Sequence, residues 1–199
     1  GGLRGLLVTR GSKVGRYSDI PLEPKVEDYT DENGVFDSIA YEGAYTRFES
    51  DVRQYAIDVE QSVVVTVQAQ FDQLIHGVVT AIDNILCPNK EVELADGSKV
   101  MILDEENAPV GMDPDSMMGE ALFSRKSVPR YTEPQQLKLA DGSVITARVY
   151  NQENPEDNYT LYTIGEIEVN QMIRENLSRI PLNTNDGTSD FDIATCDKL

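Results

Sequence analysis

One apolar stripe in the middle of the chain constrains its fold more than any other feature. Between residues 52 and 85 apolar residues recur every three or four positions, and the nine steps average about 3.7 residues. The positions are Val52, Tyr55, Val59, Val63, Val67, Phe71, Leu74, Val78, Ile82 and Ile85. This period is close to one helical turn, so the stripe predicts a single helical face. A stripe of this length needs a partner helix to cover it.

The limits of the helical segment are indicated by capping and breaking residues. Asp37 or Ser38 can cap its start through a side-chain oxygen, and Pro88 stops it. The β-branched run at 63–67 lowers helix propensity, but the apolar period continues unbroken through it. The pattern also allows a break near 55–58.

After the helical segment the apolar period changes to two, which is typical of β-strands. The phrase Leu-Ala-Asp-Gly-Ser occurs twice, at 94–98 and 139–143, each time between strand-like runs. Asp-Gly accepts the positive φ angles that tight hairpin turns require, so each copy predicts a β-hairpin. Further strands are predicted at 159–164 and 166–169, followed by a short helical turn at 172–177.

These patterns predict an α+β fold in which a long helix, part of a helical core domain, is combined with a small antiparallel β domain built from hairpins. We expect an extended, mostly exposed connector over 1–36, because glycines and prolines interrupt every apolar run there. The long helical segment then spans 37–88, and a mainly β outer domain spans 89–199. The chain does not begin with methionine, and we expect it to be an internal piece of a longer protein.

The charge of the chain argues against several classes of partner. Its 35 acidic and 17 basic residues give a net charge of -18. Such a field repels phosphate backbones and anionic lipid head groups, so we expect no binding to nucleic acid or membranes. No apolar run approaches the ~20 residues that a bilayer span needs.

No catalytic constellation is evident, and we predict that the chain is not an enzyme and has no catalytic, cofactor-binding or metal-binding residues. Its one histidine, His76, lies inside the helical segment, and the chain contains no Gly-x-Ser-x-Gly elbow. No glycine-rich phosphate loop is present either, so nucleotide binding has no support. We interpret His76 as a structural or surface residue.

Two charged clusters are weak candidates for sites. Hard cations such as calcium prefer several oxygen ligands, and five acids share one loop: Asp104, Glu105, Glu106, Asp113 and Asp115. Their spacing lacks the glycine and the closing glutamate of an EF-hand, so we interpret them as a solvated loop face. One basic cluster, Arg125, Lys126 and Arg130, is interpreted as a set of local salt bridges.

The two cysteines mark the ends of the predicted β domain. Cys87 lies where the helix gives way to the strands, and Cys196 lies where the chain leaves them. If the β domain is inserted into a helical one, its entry and exit lie side by side. The hypothesis is that the two thiols are neighbours, near enough for a disulfide if geometry allows; two unrelated thiols are the alternative.

Three short segments occur in an order that suggests a family. The first is Gly-Leu-Arg-Gly-Leu-Leu at 2–7, followed by Arg10; the second is Phe-Asp-Gln-Leu within 71–84, followed by Ile-Asp-Asn; and the third is Ile-Glu-Val-Asn at 167–170. Together they resemble the bacterial flagellar hook-associated proteins of the hook-filament junction, in which similar phrases end one core helix, form the next and lie near the end of the β domain. One departure is Gln171, which stands where that family has proline.

The resemblance implies a structural role. The full protein would be exported by the flagellar secretion system and form a ring of subunits that joins hook to filament, in an extracellular location. The implied partners are copies of itself, the hook protein, the neighbouring junction protein and an export chaperone that binds terminal regions absent from this sequence. The alternative is a secreted β-rich adhesin or carbohydrate-binding module that uses the loop 104–130 as its contact surface. A carboxylate-based hydrolase acting through acids of that loop is a more distant possibility.

Overall fold

The computed structural model describes most of the 199 residues. The described residues are 4–5, 9–11, 13–31, 33–188 and 190–199. The chain has the α+β fold that the sequence predicts, and it divides into two compact units, Gly1–Ile75 and His76–Leu199. The boundary falls inside a helix, and each unit has its own apolar cluster.

Two helices follow each other in the middle of the chain: α1, Ser38–Asp58, and α2, Val63–Leu86. Asp37 caps α1, because its carboxylate accepts the backbone N–H groups of Ile39 at 3.1 Å and Ala40 at 3.0 Å. The end of α2 lies just before Pro88, as the proline predicts. The β-branched run at the start of α2 is helical, in agreement with its period.

The expected single helix over 37–88 is therefore two helices, of 21 and 24 residues. The break lies at the turn 59–62, just beyond the position that the sequence allowed. Val59 is fully buried at this turn, and the hydroxyl of Ser62 accepts the N–H of Val65 at 3.3 Å, which caps the first turn of α2. The burial of Val59 and the cap at Ser62 thus compensate for the helical hydrogen bonds that are lost at the break.

A segment before α1, which we call the strap (residues 13–20), lies against α2. The N–H of Gly15 donates to Gln68 Oε1 at 3.2 Å. The N–H of Tyr17 donates to Asp72 Oδ2 at 3.0 Å. Gly15 approaches α2 so closely that a Cβ there would lie 2.1 Å from the carbonyl oxygen of Val65. Of the described residues before α1, 4–5 and 9–10 are helical, and short 3₁₀-helices occur at Tyr17–Asp19 and Val26–Tyr29.

The second unit contains the two predicted hairpins. Its strands are β1, Asn89–Glu93, β2, Lys99–Leu103, β3, Phe123–Arg125, β4, Gln135–Lys138, β5, Val144–Ala147, and β6, Ile167–Val169. β1 pairs with β2 and β4 with β5, and the two turns contain Gly97 at φ 82° and Gly142 at φ 85°. β3 pairs with β6, also antiparallel. The strands of the unit form three separate two-stranded ladders, and isolated bridges connect Leu94 with Leu139 and Ile102 with Val149.

The prediction of a strand at 159–164 is wrong. A 3₁₀-helix occupies Asn158–Thr160, and Asp157 caps it by accepting the N–H of Tyr159 at 3.1 Å. Leu161 and Tyr162 follow as irregular but fully buried residues. The apolar run reflected burial in the core, not pairing in a sheet.

The remaining elements of the second unit are short helices. The helix predicted near 172–177 is confirmed as α3, Gln171–Glu175, which Asn170 caps by accepting the N–H of Met172 at 3.1 Å. A 3₁₀-helix at Leu177–Arg179 follows, and α4, Ile193–Cys196, lies near the end of the chain.

The core of the second unit forms where the end of α2 meets the loops between strands. Its buried residues are Leu86, Cys87, Leu103, Ala108, Ala121 and Tyr131. Cys87 is completely buried there, and burial raises the pKa of its thiol to about 12. Cys196 is only half-buried, and both cysteines are free thiols, so the disulfide that the sequence suggested is not formed.

Candidate functional site

An exposed apolar stripe on α2 is the strongest candidate for an interaction surface. Four of its side chains recur at steps of four, four and three residues: Val63, Val67, Phe71 and Leu74. Their exposed fractions are 69, 56, 55 and 60 %. The strap covers a different face of the same helix, where Val65 and Ala69 are fully buried. The part of the predicted stripe that lies on the first half of α2 is therefore exposed to solvent, whereas Val59 is buried and Tyr55 and Ile82 are half-buried.

The other helix of the first unit also exposes large apolar side chains. None of the residues of α1 is buried. Ile39 is 84 % exposed, Ile57 is 60 % exposed and Val52 is 41 % exposed. Only a contiguous group of exposed apolar side chains marks a surface for association, because burying it is favourable. We call the four α2 residues, which are the most regular of these, the α2 stripe.

In the second unit a few charged side chains are buried. Arg130 and Asp83 are both buried, with 4.0 Å between Arg130 Nη1 and Asp83 Oδ2. The other guanidinium nitrogen, Nη2, donates to Asn84 Oδ1 at 2.7 Å and to the carbonyl of Cys87 at 3.4 Å. Because Asp83 and Asn84 belong to the last turn of α2 and Cys87 follows it directly, Arg130 fixes the end of that helix to the β-rich part of the unit.

Burial decides the protonation of this centre. Removing Asp83 from water disfavours its charged form and raises the pKa of its carboxyl to about 6, although the N–H of Phe123 and the charge of Arg130 act in the opposite direction. Asp83 Oδ1 accepts that N–H at 3.1 Å. Arg130 also lies over the ring of Tyr150, with 5.0 Å from its central carbon to the ring centroid. Through Arg130 and Asp83, an ion pair, a hydrogen bond and a cation–π contact connect the end of α2 with Phe123 and Tyr150.

The predicted basic cluster separates into three different environments. Arg130 forms the ion pair just described, as the sequence interpretation expected for the whole cluster. Arg125 instead donates to backbone carbonyls, among them that of Asn151 at 2.8 Å, and lies 4.8 Å over the ring of Tyr162. Lys126 is exposed and donates to the carbonyl of Gly165 at 2.7 Å. The sequence analysis did not identify Asp83 as the partner of Arg130. The signal that could have found it is the position of Asp83, an acidic residue directly after Ile82 of the apolar stripe.

His76 and the acidic loop take part in local contacts. The imidazole Nε2 of His76 lies 2.9 Å from Glu153 Oε1, and the other carboxylate oxygen of Glu153 accepts the N–H of Tyr162 at 2.9 Å. In the acidic loop, Asp104 accepts Asn107 Nδ2 at 2.6 Å and lies 3.4 Å from the ammonium of Lys90. Among the described residues no group of three or more histidine, cysteine, aspartate or glutamate side chains is placed to hold a metal ion.

A groove of about 740 Å³ opens on the second unit. Much of its wall comes from the loop 104–130, including Met117, Met118 and Phe123, and the guanidinium groups of Arg130 and Arg148 also line it. Apolar walls with a few polar groups are typical of ligand sites. This groove is a second surface that could hold a partner.

Comparison with known proteins adds no relative to this picture. No protein-family model, curated protein or solved structure matches the chain. None of the helices in the described residues is long and apolar enough to cross a bilayer. The resemblance of the segments 2–7, 71–84 and 167–170 to the hook-associated proteins therefore stays a prediction.

Proposed function

We propose that this chain belongs to a structural, non-catalytic subunit of the bacterial flagellum that joins the hook to the filament. The observation that supports this function is the α2 stripe, a regular row of large apolar side chains in solvent. A subunit that packs beside identical copies in a ring needs such a face, because each interface in the ring then buries the same row.

The energetics of the stripe favour assembly. Complete burial of a valine, leucine or phenylalanine side chain contributes roughly 1.5–3 kcal/mol relative to exposure. The four stripe residues are each more than half exposed, so a covering helix gains on the order of 1 kcal/mol from each. The sum is a substantial contribution for one interface, and a closed ring repeats it in every subunit.

The sequence resemblance and the geometry support the same surface. Phe71 and Leu74 belong to the stripe and also to the Phe-Asp-Gln-Leu phrase through which the chain resembles the core helix of the hook-associated proteins. We propose further copies of this chain as partners for the stripe, with the hook protein and the neighbouring junction protein adjoining the ring. An export chaperone is proposed to bind other regions of the full protein, and the proposed location is extracellular.

The proposal is tested in the bacterium that carries the gene by replacing Phe71 and Leu74 together with glutamate. The expected result is that hooks still form but filaments detach or fail to grow, so that filament protein accumulates in the culture medium. The matched control is Met112→Glu, which places the same charge on a 72 % exposed apolar side chain of the second unit, and it should leave filaments attached.

Location gives an independent measurement. Antibodies raised against the chain should label the boundary between hook and filament in immuno-electron micrographs. Normal filaments in the Phe71 and Leu74 double variant, together with label elsewhere on the cell, would exclude the junction function.

The groove in the second unit supports a second candidate, a secreted β-rich adhesin or carbohydrate-binding module without catalysis. Its walls come largely from the loop 104–130, the segment that this alternative uses as its contact surface. A ligand held there should raise the melting temperature of the full chain in a screen of glycans and of calcium. A shift with one glycan that disappears in a Phe123→Ala variant, with filaments unaffected by changes in the α2 stripe, would favour this candidate over the first.

A further inference from the structure

A row of five aromatic rings lies on the first unit, apart from the α2 stripe. Its members, which we call the aromatic row, are Tyr29, Phe36, Tyr41, Tyr45 and Phe48. Tyr41 is at the centre, with its ring centroid 5.7 Å from that of Tyr29, 5.4 Å from that of Phe36 and 6.1 Å from that of Tyr45. Phe48 extends the row, at 5.8 Å from Tyr45.

The local fold explains how residues so distributed in sequence form one row. Tyr41, Tyr45 and Phe48 are spaced by four and three positions, so they share one face of α1. The turn before the helix brings the other two rings to that face, because the N–H of Asp37 donates to the carbonyl of Tyr29 at 2.8 Å and a β-bridge joins Thr30 to Phe36.

The row is accessible to a partner. Phe36 is 41 % exposed and Tyr45 is 38 % exposed, although aromatic rings in contact with each other are usually buried in a core. Two recesses open beside it. One, of about 580 Å³, is lined by Tyr41 and Tyr45 together with two glutamates, Glu23 and Glu42.

The other recess, of about 640 Å³, is lined by Tyr29 together with three aspartates, Asp28, Asp31 and Asp37. Each recess thus combines a tyrosine ring with carboxylates, and no basic residue lines either of them in the described part of the chain. The sequence from 23 to 48 contains seven acidic and two basic residues.

These features select a cationic partner. The face of an aromatic ring attracts a guanidinium or ammonium group within about 6 Å of its centroid, and nearby carboxylates add charge attraction. The second unit already uses this contact, with the guanidinium carbon of Arg125 4.8 Å from the ring centroid of Tyr162. The two recesses of the aromatic row provide rings and carboxylates, so a binding partner would have to provide the cations.

We propose that the aromatic row is a docking surface for an arginine- and lysine-rich segment of a partner protein. Neighbouring rings are 5.4 to 6.1 Å apart, close to the ~6.6 Å at which side chains repeat on one side of an extended chain. An extended segment with a basic residue at every second position therefore matches the spacing of the rings along the path from Phe36 through Tyr41 and Tyr45 to Phe48, and Tyr29 adds a ring beside Tyr41. This surface is independent of the α2 stripe and of the proposed role in the flagellum.

The experiment measures binding of the full chain to a fluorescent peptide that carries arginine at every second position, separated by serine. Tyr45→Ala and Phe36→Ala should each weaken binding about two- to five-fold, since one cation–π contact at an exposed site is lost. Tyr45→Phe should bind like the unchanged chain, because the ring face and not the hydroxyl makes the contact. Tyr159→Ala, at a 62 % exposed tyrosine of the second unit, is the matched control and should also bind normally.

The salt dependence of binding distinguishes the contribution of the carboxylates from that of the ring contacts. Glu42→Gln should weaken binding at low salt and have a smaller effect at high salt, where surface charges are screened, whereas the loss in Tyr45→Ala should persist. Circular dichroism of each variant checks that α1 is still formed. Equal binding by Tyr45→Ala and the unchanged chain would overturn the proposal, and so would binding of neutral oligosaccharides to the row in place of the arginine peptide.

Discussion

The two units of this chain differ in how much of their apolar surface they bury: of the buried hydrophobic residues in the described part of the chain, three lie in the first unit and twelve in the second. Leu74 in the first unit is 60 % exposed, whereas Leu161 in the second is completely buried. The first unit holds its strap to α2 through backbone N–H groups at Gly15 and Tyr17, and it leaves apolar and aromatic rows in solvent. The second unit closes around a buried ion pair and an apolar core. The difference indicates that the second unit is stabilised mainly by its own interior, whereas the first unit has a much smaller core of its own.

The largest expected effect concerns the ion pair in the second unit. Arg130→Ala should lower the free energy of unfolding of that unit by about 4 kcal/mol, because it leaves Asp83 buried without its cation. Urea denaturation at neutral pH, followed by near-ultraviolet circular dichroism, measures the loss. The control is Lys126→Ala at an exposed site, which should change stability by no more than about 0.5 kcal/mol. Similar losses in both variants would show that the second unit does not depend on a buried charged centre.

A matched pair of leucines tests the comparison directly. Leu161→Ala should cost about 3.5 kcal/mol of unfolding free energy, since it removes apolar contacts and leaves a cavity in a closed core. Leu74→Ala makes the same chemical change on the exposed α2 stripe, and for the isolated chain it should cost less than about 0.5 kcal/mol. Equal costs would mean that the stripe is already covered within the chain.

Asp83 gives the second unit an unusual response to pH. Its folded pKa of about 6 lies above the ordinary value, so the folded state binds this proton more tightly than the unfolded state. Stability from this group is therefore complete below pH ~4 and declines as pH rises through about 6, by about 3 kcal/mol in total. Urea denaturation across this range should show the decline in the unchanged chain relative to Asp83→Asn.

Asp96 is the control for that titration. Hydrogen bonds from Ser98 lower the pKa of its exposed carboxyl, so its contribution to stability has the opposite sign and is lost as pH falls. Asp96→Asn should leave the decline between pH ~4 and ~6 intact. The interpretation of Asp83 fails if Asp83→Asn and the unchanged chain have parallel pH profiles.

The sequence predicted the parts of this fold that depend on local chemistry. Pro88, the cap at Asp37 and the two Asp-Gly turns have consequences within a few residues, and the structure confirms them. The α2 stripe was likewise predicted, since helical periodicity depends on the sequence alone.

Features that depend on distant residues could not be predicted. Arg130 meets Asp83 across 47 positions of sequence, and no local pattern encodes that contact. The pattern at 159–164 predicts a strand because burial and strand pairing select the same residue types. The aromatic row depends on a turn that brings Tyr29 and Phe36 onto the face of Tyr41, so sequence spacing alone did not indicate it.

The smallest effect tests whether the strap organises the first unit. Gly15→Ala would place a methyl group 2.1 Å from the backbone oxygen of Val65, so the strap or the helix must move, at a cost of about 2 kcal/mol. Gly43→Ala is the matched control, because a Cβ at this helical position meets nothing within 4 Å and should stabilise α1 by roughly 0.5–1 kcal/mol. Hydrogen exchange at the backbone N–H groups of positions 15 and 17 in each protein measures detachment of the strap. We expect rapid exchange of these N–H groups only in Gly15→Ala. Equal protection in both variants would show that the strap can accommodate the added methyl group. The first unit would then be less tightly packed around α2 than the close approach of Gly15 to Val65 indicates.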